Sequence, residues 1–144
     1  MVDQKDPVDV MVNLLSSNWN ASNTDNITPT FSAVYDVKRI DLGWKGDYVL
    51  CYLVDRLPEK NSIGTASKRI IDTVSIDIRT MVSRAHLIKM RTEVERILDA
   101  SLVSVGNSYD ILNPDLRQLD LSNKAIKLWR WIIDAQLIKL NATR

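Results

Sequence analysis

One cysteine, one histidine, four glycines and four prolines in 144 residues leave out most of what small enzymes and secreted scaffolds are built from. With Cys51 alone, no intramolecular disulfide can form, so the chain does not read as a disulfide framework and a reducing interior is the expected setting. Cys51 also falls in the most apolar run of the sequence, where a buried small hydrophobe is expected rather than an activated thiolate. With His86 alone, no histidine pair is offered to a metal, and its place at the start of a helical pattern suits solvent or a capping contact better than a general base. Net charge is missing too: nineteen Lys and Arg face eighteen Asp and Glu, a balance of +1, so no global field draws the chain to nucleic acid or to an anionic membrane.

No run reaches the roughly 18 uninterrupted apolar residues of a membrane span. The first residues, MVDQKDPVDV, have neither the basic region nor the apolar core of a secretory leader, so a soluble protein without a membrane partner is expected. Asn20, Asn26 and Asn141 match the glycosylation tripeptide, which carries little weight without an export signal.

What is present is a pattern of elements. Residues 69–80 alternate: Ile70, Val74, Ile76 and Ile78 share one face of a strand, and Ile71, Thr73, Ser75, Asp77 and Arg79 share the other, a largely polar one. After Ser83, a suitable N-cap, Leu87, Met90, Val94, Ile97 and Leu98 follow helical spacing and predict a helix packed back on that strand. Asp6-Pro7 is a helix start, and Val8, Met11, Val12, Leu15 and Trp19 predict a helix over residues 7–18. Residues 29–42 are strand-like, and Gly43-Trp44-Lys45-Gly46 suggests a hairpin turn into DYVLCYLVD, whose two apolar faces place it centrally in a sheet. Residues 57–68 predict a long exposed loop between strands.

Residues 116–121 alternate weakly as a short strand, with a two-residue turn at Ser122 and Asn123. Residues 125–141 fit both periods. The tryptophans two apart, the Ile-Ile step and the preceding short strand favour a strand. The sum is one α+β domain spanning 1–144, a single mixed or antiparallel sheet of about four to six strands packed by two helices.

Catalytic chemistry finds little support. Asp72 and Asp77 differ by an odd number of residues and point to opposite faces of their strand, which argues against a shared metal. Asp55, Glu59 and Lys60 are the nearest approach to the cluster a small metal-dependent nuclease would need, but a solvated turn explains them better. Lys124, Lys127, Arg130 and Lys139 interleave with Trp129 and Trp131, as in a nucleic-acid surface, yet Arg130 falls on the strand face opposite the two rings. The expectation is a protein that is not an enzyme and needs no cofactor or metal.

The helix ending in Trp19, the TPTF segment, YVLCYLVD, VSIDIRT running on to MRTEVERIL, and the closing LDLSNKAIKLWRWIIDAQL together resemble the small tail-terminator or tail-completion proteins of long-tailed viruses of bacteria and archaea. The resemblance covers nearly the whole chain through diffuse apolar patterning rather than a signature motif. It implies a structural virion protein that forms a homo-oligomeric ring, hexameric in the family, on the last ring of the tail tube. Such a ring ends tube polymerisation and offers a surface to head connector and neck proteins, while genomic DNA passes through the lumen without sequence-specific binding.

The resemblance places the protein in the virion tail or neck, and in the host cytoplasm during assembly. On that reading the candidate assembly interface comprises Asp77 and Arg79 on the polar strand face, the charges Lys89, Arg91, Glu93, Glu95 and Arg96 expected on the exposed side of the second helix, and Glu59, Lys60 and Lys68 in the long loop, a natural place for axial contacts. Another head–tail neck or stopper protein, a small metal-dependent nuclease using some of Asp55, Glu59, Asp72 and Asp77, and a nucleic-acid module built on Lys127, Arg130 and Lys139 are the alternatives.

Overall fold

The computed structural model describes residues 6–34, 46–60, 68–103 and 109–142. Helix α1 is Pro7–Asn18, opened as its sequence predicts: the Asp6 carboxylate accepts a hydrogen bond from the Val8 N–H at 2.9 Å and proline occupies the first turn. Val8, Val10, Met11, Leu14 and Leu15 form its buried stripe. The helix stops at Trp19, whose backbone turns extended, while its indole N–H donates to the Ile27 carbonyl at 2.9 Å and its ring meets Phe31 edge-on at 5.5 Å.

Five strands follow among the described residues: β1 (Thr30–Ala33), β2 (Tyr48–Lys60), β3 (Lys68–Thr80), β4 (Ile111–Asp120) and β5 (Trp129–Ala142), with helix α2 (Arg84–Ala100) between β3 and β4. They form one sheet in the order β1-β2-β3-β5-β4, with β1 parallel to β2 and every other pair antiparallel. The fold is therefore α+β with a mixed sheet and two helices, as expected. Helix α2 is the crossover that carries the chain from β3 past β5 to β4, and β5 then fills the gap. Ser83 caps it, its hydroxyl accepting from the His86 N–H at 3.1 Å.

The sequence reading needs correction at three places. First, β1 runs parallel to β2, so these two strands are not the arms of a hairpin; residues 35–42 of the expected strand-like stretch lie outside the described residues. Residues 43–45 of the expected turn lie outside the described residues, and Gly46 holds a φ of 116°, open to glycine without strain.

Second, the expected loop over 57–68 is shorter. Strand β2 continues to Lys60 and β3 begins at Lys68, with Leu57 opposite Ile71 and Lys60 opposite Lys68; residues 61–67 lie outside the described residues. Pro58 is compatible with a strand there because β1 reaches only to Cys51, so on that side β2 has no neighbour among the described residues to miss the proline N–H.

Third, β4 starts at Ile111 rather than at residue 116. It tolerates Pro114 because it is a terminal strand whose register shifts between Asn113 and Arg117. Its link to β5 is not a two-residue turn but residues 121–128, which contain a single 3-10 turn at Lys124–Ile126 capped by the Asn123 side chain. The final segment, whose pattern fits both periods, is the strand β5.

Both helices lie on one face of the sheet. Helix α1 covers β1 to β3, and α2 covers β3, β5 and β4. Val49, Cys51, Val74, Ile76, Ile78, Ile133, Ala135 and Leu137 point to this face and are fully buried against Met11 and Leu15 of α1 and Leu87, Met90 and Val94 of α2. Trp129 and Trp131 pack at its margin. Ile76→Ala, in the middle of β3, is expected to cost about 2–5 kcal/mol through the cavity it leaves. Urea unfolding will show this as a lower midpoint with an unchanged slope.

Candidate assembly surface

The other face of the sheet carries no helix among the described residues, and the polar alternation of β3 points to it. Register places Tyr52, Ser75 and Asp134 in one row, Leu50, Asp77 and Ile132 in the next, and Tyr48, Arg79 and Arg130 in the third. Asp77 and Arg79 are not surface groups, as their alternation with apolar neighbours suggested: Asp77 is 0% exposed and Arg79 3%. The reason is the strand beside them. Arg130 reaches across from β5 and grips the Asp77 carboxylate through Nε at 3.0 and 3.1 Å and Nη2 at 2.8 Å, while Arg79 donates to it at 2.9 Å.

Two guanidiniums on one carboxylate satisfy the buried acid and leave one positive charge in excess. Burial alone would push Arg130 down, but the Asp77 carboxylate more than reverses that and holds it above the ordinary arginine range.

Two rungs away a second pair repeats the device. Asp134 accepts from the Ser75 hydroxyl and from Arg117 Nε at 2.9 Å, with Arg117 Nη2 at 2.7 Å. The Tyr52 phenol between the two carboxylate sites is pushed up by burial and then by the negative charge of Asp77. Beyond Asp134 the face sinks into a depression of about 400 Å³ lined by Val54, Asp55, Leu57, Ile71 and Gln136 together with the Arg117–Asp134 pair. It is created where the register shifts between Leu53 and Asp55.

The charges of α2 meet a different fate from the one expected. Glu93 is buried, 1% exposed, and binds the Asn20 N–H at 2.7 Å, the Asn23 side-chain amide at 3.2 Å and the Arg96 guanidinium. Arg96 also donates to the Asn18 carbonyl at 2.9 Å, and Lys89 pairs with Asp25. Together they clamp the polar tract after α1, which folds as a 3-10 turn over Ala21–Thr24, onto the helix. Arg91 lies 4.7 Å from the centre of the Trp131 ring and 3.4 Å from Glu95. These three cations and three anions are engaged in pairs within the chain's own fold, with Glu93 buried and Lys89 and Arg96 still 45% exposed. Glu59, Lys60 and Lys68 stand at the paired ends of β2 and β3, with side chains outside the described residues.

The catalytic alternatives do not assemble. Asp72 faces the helix side, fully buried, bound by Arg56 Nε at 2.9 Å and by the Tyr109 hydroxyl, whose phenol is pushed up by burial and by that carboxylate. Asp77 lies on the opposite face, as its parity requires, and Asp55 is exposed. Among the described residues no three His, Cys, Asp or Glu side chains gather to hold a metal. Cys51 is in the core, its thiol pushed up by burial. His86 Nε2 sits 2.9 Å from an Asp47 oxygen that also accepts the Thr80 hydroxyl, which ties the start of α2 to the strand ends. Arg130 is bound to Asp77, and the Trp131 indole, on the other side, donates to Gln118 at 2.9 Å, so cation and rings do not form one stacking platform.

Compared with protein-family models and with curated proteins, the chain matches none. No helix among the described residues is long and apolar enough to cross a membrane.

The two kinds of buried acid predict different responses. Asp77→Ala leaves Arg79 without its anion inside the sheet and is expected to cost about 3–5 kcal/mol, measured by urea unfolding. For Glu93, burial raises the carboxyl pKa, but Arg96, the Asn20 N–H and Asn23 outweigh it and leave it lowered. Its stabilising contribution is thus complete above the unfolded-state value of about 4.3 and lost as pH falls through the lower folded value. The melting-temperature gap between the wild type and Glu93→Gln will narrow as pH falls below about 4.

Proposed function

We propose that the chain is a structural virion protein that assembles as a ring, with six subunits as the family resemblance implies. The ring caps the tail tube, ends its polymerisation and joins the tail to the head connector. The observation that supports this reading is the helix-free face of the sheet: its central carboxylates, Asp77 and Asp134, are already held by arginines within the chain, so a partner can dock without desolvating a free acid. Apolar side chains nonetheless remain exposed on it, with Val54, Leu57 and Leu119 each more than a third exposed.

A sheet stiffened by buried ion pairs suits a subunit whose job is geometry, since a ring closes only if each contact repeats the same rotation. The reading requires no catalysis and no cofactor. Its partners are other copies of the chain, the tail tube protein and the neck proteins, with DNA passing through the lumen unread, and its place is the virion neck.

Purified chain added to isolated tail tubes is expected to appear in negative stain as a ring at one tube end and to stop further growth from added tube protein. Tubes that stay bare and keep growing would overturn the reading. Binding to portal or adaptor without binding to tube protein would instead make it a neck or stopper component.

A further inference from the structure

We propose that the β4–β5 tip of one subunit seats in the sheet depression of the next, so that a second copy of this chain is the partner at both sites. This rests on the reading of the chain as a ring former and names the contact that would build the ring. The tip is a compact knob. The bridge between Asn123 and Leu128 closes it, the 3-10 turn at Lys124–Ile126 fills it, and Lys127 ends that turn at a φ of 54°. It presents Leu121 and Ile126, 43% and 46% exposed, to solvent rather than to the core.

Val82, 65% exposed, lies at the same end of the sheet, where the Arg84–Asp120 pair at 2.8 Å fixes the start of α2 to the end of β4. The depression offers the complementary shape. Val54 and Leu57, about half exposed, and Ile71 supply an apolar floor large enough for an aliphatic side chain.

Charge agrees with shape. Lys124 and Lys127 flank Ile126 on the tip, both exposed, and among the described residues neither has an anionic partner. Asp55 stands exposed at the rim of the depression, the one carboxylate of its lining that is not already held by an arginine, since Asp134 is bound to Arg117. The two sites cannot meet within one subunit: from Leu128 to Gln136 along β5 they are about 25 Å apart at a strand rise of ~3.3 Å per residue. A knob and a socket on different parts of one chain make a heterologous contact, which closes into a ring or runs on as a filament according to its rotation.

The test is pairwise cross-linking of Ile126→Cys and Leu57→Cys, both at exposed positions, with Cys51 buried and out of reach. Under mild oxidation a mixture of the two variants is expected to give a disulfide-linked dimer that neither variant gives alone. Lys124→Glu with Lys127→Glu should abolish self-association in sedimentation, and Asp55→Lys added to that same chain should restore it.

Dimers from Leu57→Cys alone would overturn the proposal in favour of a two-fold contact. Rings on tail tubes with no cross-link in the mixture would overturn it while leaving the ring reading intact. Cross-linked chains that never cap tubes would support the contact and remove the tail-capping function. A chain that stays monomeric both free and on tubes would remove both.

Discussion

The Asp77 carboxylate, enclosed by Arg130 and Arg79, is the interaction on which the rest of this structure depends. Strand β3 lies in the middle of the sheet, and from Asp72 to Thr80 every residue is buried. One side of it is conventional, with Val74, Ile76 and Ile78 under the helices. The other side places a full negative charge where the sheet has no helical cover among the described residues, and such a charge is tolerable only if neighbouring side chains supply both neutralisation and shielding. Arg130 does both, because its long stem lies along the sheet while its head group satisfies the acid. The Asp134–Arg117–Ser75 group applies the same solution to β5 and β4, so the three strands are cross-tied by side chains as well as by their backbone ladders.

On the proposed reading, that arrangement links folding to assembly. A sheet face finished with apolar residues would gain more from burial, but it would associate indiscriminately. A face finished with free charges would resist docking, since each ion must be desolvated. Carboxylates held by arginines within the chain temper both outcomes: the acids at the centre of the face are already neutralised, one cationic charge remains beside Asp77, and exposed apolar side chains lie at the periphery, at the register shift in β2 and at the β4–β5 tip. Under that proposal the contacts are set by where the exposed apolar groups fall, which the ion pairs fix by fixing the sheet.

Much of the fold was legible in the sequence for reasons that can be named. The Asp6-Pro7 and Ser83 starts, the two helical stripes and the alternation of β3 are local signals, and the structure follows them. The bounds of β2 and β4 were less legible, because Pro58 and Pro114 each sit in a strand, where a short neighbour or a terminal position leaves their missing N–H without consequence. Whether a strand pairs in parallel is likewise not a local property, so the direction of β1 is not legible from its own residues.

At the surface level, Glu93 was legible in principle, because it stands three residues after Met90 and four before Ile97, on the apolar stripe itself. In the polar tract that follows α1, the Asn20 N–H and the Asn23 side-chain amide find their acceptor in Glu93. The Asp77–Arg130 and Asp134–Arg117 pairs were not legible, because they join residues 53 and 17 positions apart and depend on strand order and register that no local pattern encodes.

The central claim is that the bare sheet face and its ends, rather than the helical layer, form the contact surface. Hydrogen–deuterium exchange of the chain alone and with isolated tail tubes tests it most directly. The account predicts added protection at residues 53–57 and 121–128 on assembly, with α1 and the outer side of α2 unchanged. Protection confined to the helices, with those two segments unaffected, would contradict it.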